Sequence, residues 1–451
     1  MDRKKTWDVI VIGGGVTGFV AATAAGRNGA KTLLIERDGA LGGTMANALV
    51  SPMMSFHSLK EQVIKGLPQE VVDRLVAMHA SPGHVFDTTG YVKSVTPFDN
   101  EALKLVAQRM VLESGAEILL DTWVQDAIVE GNAIRGVVVR HKGGVEELFS
   151  RVIVDSSGDA DVACKAGAPW EFGRKSDQLV QPVSLMFKVG PIDVQALKLH
   201  VLDHPEDFDM SREGIDALKE QEFISINGFI GQLQKSIQSG ELPLHRESVL
   251  FFSTNQPDEV LINMSRITHI NPLDAWDLTR AEIQGREQMF ALMDFFYKYI
   301  PGFEKAHILN AGARVGVRES RRIIGEYVLT AEDVVSGRRF PDAVLRNAYP
   351  IDIHAPTPDE PNQDGFLKGG DFYEIPYRCL IPLRVEQLLV AGRCISATHE
   401  ALGSTRTSPT CMALGQAAGT AAALSIKEET SPRALKADTL RQTLKQQGVY
   451  I

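Results

Sequence analysis

Four cysteines in 451 residues, at Cys164, Cys379, Cys394 and Cys411, form neither a CxxC nor a CxxxxC pair. That scarcity argues against a disulfide framework, an iron–sulfur cluster or a redox-active dithiol, and no metal site is expected. No run of about 18 apolar residues occurs, which excludes a spanning helix. Positive charge is short too: Lys+Arg 47 against Asp+Glu 57 gives a net −10. That is the wrong sign for a nucleic-acid coat or an anionic membrane surface. Met1-Asp2-Arg3-Lys4-Lys5 passes straight into a strand pattern, with no apolar leader. These absences predict a cytoplasmic enzyme with reduced thiols and without nucleic-acid or membrane partners. At 44% hydrophobic and 23% charged residues the composition is ordinary for a globular chain. The length predicts two or three units.

The sharpest positive signal lies in the first forty-four residues. Asp8-Val9-Ile10-Val11-Ile12 is a β-branched apolar run of the kind buried on both faces of a parallel sheet. It leads into Gly13-Gly14-Gly15-Val16-Thr17-Gly18, then an Ala-rich helix closed by Gly26 and Gly29. A second strand, Lys31 to Ile35, ends at Glu36. In such an arrangement Gly13 makes the tight turn, Gly15 lets backbone amides approach a pyrophosphate, and Gly18 lets helix pack closely on strand. The helix start at Val16 and Thr17 offers free N–H groups and partial positive charge to phosphates. Glu36 is placed to accept hydrogen bonds from ribose hydroxyls, and an acid there disfavours a 2′-phosphate. A glycine turn alone is weak. Strand, glycines, helix, strand and acid in this order predict dinucleotide binding.

A second glycine turn, Arg37-Asp38-Gly39-Ala40-Leu41-Gly42-Gly43-Thr44, follows at once. A mobile nicotinamide cofactor needs no such continuation; a long cofactor buried through the domain does. At this point the sequence resembles the FAD-dependent oxidoreductases of the glutathione-reductase-like, two-dinucleotide-fold type. The resemblance implies FAD, with Arg37, Gly42, Gly43 and Thr44 wrapping its ADP half. It also implies an α/β fold: a Rossmann-like FAD-binding domain with a parallel sheet, plus an α+β substrate or cap domain.

The rest of the chain follows that pattern. Glu101 to Ser114 reads as a helix, and Ala116 to Leu120, Trp123 to Val129, Ala133 to Arg140 and Val152 to Asp155 as strands. By resemblance, Val124 contacts the adenine. Ser156-Ser157-Gly158 stands where the family has an ATG-like turn. Residues 170–350 read as the cap, with strands at Val183 to Val189, Ser248 to Ser253 and Val260 to Ser265 and a helix from Leu278 to Ile300. Residues 1–169 and 351–451 then form the two parts of the FAD-binding domain. No second GxGxxG occurs, so no built-in NAD(P)H domain is expected. Near the end, an apolar strand runs into Gly392-Arg393, where family members with Gly-Asp use the acid on the ribityl hydroxyls. Gly403-Ser404-Thr405-Arg406-Thr407 reads as a flavin loop. Ser408-Pro409 then opens a helix to about Ile426, with N-cap and N1 preferences met. Its small residues, Ala413 and Gly415-Gln416-Ala417-Ala418-Gly419 among them, permit a close neighbour, either the sheet or the flavin pyrimidine edge.

Candidates for chemistry are few. Arg318, Arg321 and Arg322 form a basic cluster that clamps a substrate carboxylate or else pairs with Glu319, Glu326 or Asp333 to hold the lobes together. Asp352 and His354 share one face of an extended segment, and His is the commonest acid–base residue. His399-Glu400 precedes the flavin loop, and Arg406 within it offsets negative charge on the reduced flavin or on a substrate. His57 has no local motif for covalent attachment, so non-covalent FAD is expected. The predicted activity is hydride transfer between flavin N5 and a small organic substrate, in particular a carboxylate, with His354, Arg318 and Arg406 as catalytic residues. An external electron donor or acceptor fits beside it. Two alternatives stand: a flavin-bearing biosynthetic or binding scaffold without simple redox turnover, and a pyridine-nucleotide-only dehydrogenase, which the second glycine turn disfavours. The sequence does not indicate the oligomeric state.

Overall fold

The first strand, Thr6–Ile12, runs through the middle of a seven-stranded sheet in a computed structural model that describes residues 5–451. The expectation drawn from Met1 to Lys4 lies outside the described residues. Parallel neighbours flank the strand: Val9 pairs with Thr32 on one side and with Val152 on the other. Beyond them lie Glu117–Leu119 and, from the far end of the chain, Leu388–Val390, both parallel. An antiparallel ribbon of Trp123–Glu130, Ala133–His141 and Gly144–Asp155 completes the sheet. Val9, Ile10 and Val11 are fully buried: Val9 and Val11 pack toward the helices, and Ile10 packs with Ile134, Val137 and Leu148 of the antiparallel ribbon.

Two helices cross on one face. Val16–Arg27 links the first two strands, and Ser408–Lys427 packs along it. A Cβ at Gly415 would sit 2.2 Å from the Thr17 carbonyl oxygen, and one at Gly419 would sit 2.1 Å from that of Ala21. Gly415 and Gly419 of the last long helix therefore serve a helix–helix contact, beside the helix-on-sheet packing that the sequence suggested. That helix is entered from Thr407 as N-cap, with Pro409 one position deeper than expected.

The segment read as a flavin loop is helical. His399–Thr405 forms two turns, capped by the Thr398 side chain accepting from the Ala401 N–H, and only Arg406 and Thr407 separate it from the long helix. Glycine and hydroxyl residues look like breakers in isolation. Here Gly403 is small because a Cβ would lie 2.9 Å from the Asp352 carbonyl oxygen.

Over the carboxyl ends of the parallel strands sits a five-stranded antiparallel sheet. Its order is Ser225–Gly228, Val249–Ser253, Val260–Ile262, Phe187–Gly190 and His307–Ala311. Helix Ala275–Tyr299 covers this sheet, and Phe187, Phe251, Phe296 and Phe303 make its separate apolar core. The expected strand from Val183 begins later, at Phe187. Val183 and Ser184 instead make single bridges to Ile267 and Gly316. Among the described residues, no helix is long and apolar enough to cross a membrane.

Candidate functional site

The three turn glycines do different jobs. Gly13 has φ +88°, where a side chain is strained. At Gly18 a Cβ would overlap the Gly13 carbonyl oxygen at 1.7 Å, so its absence lets helix meet strand. At Gly15, in ordinary extended backbone (φ −63°, ψ −175°), a Cβ would meet only the Gly43 Cα, at 3.8 Å. Protein packing therefore does not require Gly15 to be glycine, and the open space beside it belongs to the cavity that this turn lines. The Glu36 carboxylate is buried at the end of the second strand and accepts from Gly14 N–H at 2.5 Å and Asp38 N–H at 2.8 Å. Burial raises its pKa against those two bonds. Each carboxylate oxygen keeps accepting capacity for a ribose hydroxyl.

A single cavity of about 1510 Å³ runs from this turn to the cap. Ligand pockets commonly span about 300–1,000 Å³, so there is room for a dinucleotide and a second molecule. Gly13, Gly15, Val16, Thr17, Glu36, Arg37, Gly43, Thr44, Val124, Gly158 and Arg393 line it, with Arg318, His354 and Arg406 at the other end. Gly18, Gly42, Gly392, Gly403 and Ala413 do not. Gly42 donates its N–H to the Gly14 carbonyl at 2.8 Å and so joins the two glycine turns. A Cβ at Gly392 would strike the Thr17 hydroxyl. The residues fit FAD: an open pyrophosphate cradle at Gly15, an acid at the ribose position, and the start of the long helix (Ser408, Cys411) opening onto the cavity.

Arg393 stands where the family acid is expected, and its charge is matched. Its Nη2 donates to Asp159 Oδ1 at 2.6 Å, and its Nη1 donates to the Ser320 hydroxyl at 2.9 Å. Asp159, which also lines the cavity, brings a carboxylate from the opposite loop. Sequence reasoning missed it because the pairing spans 234 residues. Arg37 lies over the Trp123 ring at 5.2 Å, and both line the cavity with Val124.

The three-arginine cluster divides. Arg321 donates to Asp161 at 2.5 Å and to the Asp159 carbonyl at 2.7 Å. Arg322 is buried, ion-paired with Glu319 at 2.5 Å, and donates to the carbonyls of Gly173 and Ala397. His399 is bound to the same Glu319 at 2.8 Å. These residues join segments of chain and do not line the cavity. His57, bonded to the Ser94 hydroxyl at 2.8 Å, does not line it either. Arg318 alone of the three reaches the cavity. Burial, with Arg406 and Arg246 nearby, pulls its pKa down to about 9.

Asp352 organises that end. Its carboxylate accepts from Arg406 Nη2 at 3.1 Å and the Tyr349 hydroxyl at 3.1 Å, with His354 Nε2 at 3.5 Å. Burial opposes its ionisation, but a charged His354 and the guanidiniums of Arg406 and Arg318 outweigh burial and hold its pKa well below the carboxylate range. For His354 the balance goes the other way. Burial, aided by Arg318 and Arg406, lowers it to about 4 despite Asp352, so the ring is neutral at pH 7. At that pH the guanidiniums of Arg406 and Arg318 still favour the ionised carboxylate. The thiols are not poised to react: burial raises Cys164 to about 11 and Cys411 to about 12, and raises Cys379 and Cys394 as well.

The family described as FAD dependent oxidoreductase matches residues 8–444. Among curated proteins, a digeranylgeranylglycerophospholipid reductase 2 of Methanothermobacter thermautotrophicus is 29% identical over 191 residues, 42% of this chain and 48% of that protein. A thiamine thiazole synthase of Aeropyrum pernix is 32% identical over 133 residues, 29% of this chain and 43% of that one. The chain thus spans about half the length of these curated relatives. Among solved structures, a geranylgeranyl bacteriochlorophyll reductase-like protein of Thermoplasma acidophilum superposes with a TM-score of 0.47 at 13% identity, covering 98% of this chain and 83% of that one.

Proposed function

The chain belongs to the FAD dependent oxidoreductase family, and from that premise we propose that it passes a hydride between flavin N5 and a small organic carboxylate. FAD, when bound, supplies the two-electron centre. The observation that carries the reading is that Arg318, Asp352, His354 and Arg406 open on the same cavity as the glycine turns. In this reading residues 1–169 and 351–451 hold FAD through Gly13, Gly15, Val16, Thr17, Glu36, Arg37, Gly43, Thr44, Val124, Gly158 and Arg393, while Gly18, Gly42 and Gly392 shape the turns behind them. Residues 170–350 form the substrate lobe. The Arg318 fork receives the carboxylate. Neutral His354, oriented by Asp352, takes the proton that accompanies the hydride or gives it back. Arg406, at the mouth of the long helix, places positive charge where negative charge develops. The second electron partner is external, since the chain has no second glycine fingerprint. Buried, raised thiols weigh against a scaffold that acts through a reactive cysteine.

Anaerobic bleaching of the yellow holoprotein by a panel of carboxylates and NAD(P)H tests this directly. Arg318→Ala and His354→Ala should keep flavin content and melting temperature while the bleaching rate falls, by about 10²–10⁴-fold for the histidine. The sign of the pH dependence follows from a base that must be neutral. The rate should be flat through neutrality, fall as pH drops through about 4 and His354 is protonated, and fall again above about 9 as the Arg318 clamp loses its charge. A wild-type bleaching rate in both variants sinks the assignment.

Removing Arg406 should lower the flavin potential, because a cation is lost and Asp352 is freed from its partner. For a two-electron couple each ~30 mV corresponds to ~1.4 kcal/mol. An unmoved potential in Arg406→Ala would place this charge away from the ring.

A further inference from the structure

We propose that the substrate is dianionic, held by four guanidiniums, Arg246, Arg266, Arg318 and Arg406, that face the cap end of the cavity. This rests on the carboxylate reading above and extends it. Arg246 and Arg266 come from the five-stranded sheet. Phe251 pairs with Ile262 in antiparallel register, so the chain before Val249 and the chain after Ile262 emerge side by side, and each brings one arginine.

Three of the four have no carboxylate partner among the described residues. Arg318 Nη1 donates to the Pro182 carbonyl and the Ser184 hydroxyl, both at 2.8 Å. Arg266, buried at 8% exposure, donates from Nη2 to the Ala355 carbonyl at 2.8 Å. Arg246 Nη2 donates to the Asn263 carbonyl at 2.9 Å. Only Arg406 has an acid, Asp352. The Nε–H groups of Arg246, Arg266 and Arg406 are buried without any acceptor. A buried charge is costly unless an opposite charge and hydrogen bonds compensate it. Elsewhere on the cavity wall Arg286, Arg314 and Arg393 each have a carboxylate, Glu282, Asp38 and Asp159, and Arg37 lies over the Trp123 ring.

The other acids near the cluster lie at its rim, and Glu247 acts on Arg246 and Arg266 through charge without forming an ion pair. Asp209, Glu247 and Asp364 are exposed and are bonded to Asn227, Asn362 and Tyr91. Inside that rim, four guanidiniums face the single carboxylate of Asp352. A monoanion leaves most of this excess standing, whereas a dianion presents enough oxygens to engage two forks. A dicarboxylate and a phosphate monoester share that chemistry.

The test titrates the holoprotein at fixed ionic strength and about pH 8, above the second phosphate pKa of about 6. Flavin spectral perturbation and thermal shift report binding of succinate against butyrate, and of ethyl phosphate against diethyl phosphate. The expected result is that one dianion binds roughly tenfold tighter than its monoanionic counterpart, equivalent to ~1.4 kcal/mol. That preference should disappear in the Arg246→Gln/Arg266→Gln double variant, with flavin content kept. Preference for succinate identifies a dicarboxylate site, and preference for ethyl phosphate a phosphate-monoester site. Equal affinities within both pairs, or a preference that survives the double variant, overturns the proposal. If butyrate binds and Arg318→Gln abolishes that binding while no dianion is preferred, the carboxylate reading stands and the dianion falls. If none of the four probes binds, both fall.

Discussion

Gly15→Val is expected to yield a folded, colourless protein. The backbone at this position is extended, so a branched side chain is allowed, and its Cβ would meet no protein atom nearer than 3.8 Å. What the side chain fills is the cradle at the start of the first helix, where a pyrophosphate approaches the amides. Flavin content should fall at least about tenfold, a loss of ~1.4 kcal/mol or more in affinity. Gly18→Val is the contrasting variant. Its Cβ would collide with the Gly13 carbonyl, so it should lose soluble, folded protein altogether. Absorbance and protein yield separate the two. A yellow Gly15→Val protein with unchanged flavin content would refute the placement of the cofactor.

The largest stability effect is expected at Glu319. Its fully buried carboxylate accepts from Arg322, His399 and the Gln181 N–H. Arg322 in turn reaches the carbonyls of Gly173 and Ala397, so one ion pair joins four separate stretches of chain. Removing Glu319 leaves buried Arg322 with only the exposed Glu171, at 3.8 Å, and breaking such a buried pair costs about 3–5 kcal/mol. Glu319→Ala should therefore show that loss in urea unfolding, with any activity loss following from instability. Replacing both residues, as Glu319→Met with Arg322→Met, removes the stranded charge as well and should recover much of it. A single variant as stable as the parent would mean that the pair contributes nothing.

Much of the nucleotide end was legible because its parts are neighbours in the chain. Gly13, Gly15, Gly18 and Glu36 occupy one strand–turn–helix–strand unit, and each task depends on backbone conformation or on a position at the end of a strand. Val11, buried on both faces, could be read in the same way. The second turn was legible too, although Gly42 joins the two turns and does not face the cavity. Misreadings arose where a local signal had a distant cause. Gly403 looked like a loop glycine; it is a helical residue made small by the Asp352 backbone. The small residues from Ala413 to Gly419 suggested a close neighbour, sheet or flavin; Gly415 and Gly419 make room for the first helix.

Local sequence thus carried the dinucleotide turn and placed Glu36 at the end of the second strand, since short-range backbone geometry decides both, and the resemblance resting on those motifs carried the fold class and the cofactor type. Tertiary structure alone decided which charges are compensated. Arg321 and Arg322 lie three and four positions from Arg318, yet they are matched by Asp161 and Glu319 while Arg318 faces the cavity. Arg246, Arg266 and Asp159 gave no signal at all, because strand register and the return of the C-terminal segment bring them to the cavity. The charge of an ionisable side chain is visible in the sequence, but its partner and its burial are set by residues far along the chain, 234 positions away for Arg393 and Asp159 and 276 for Arg314 and Asp38.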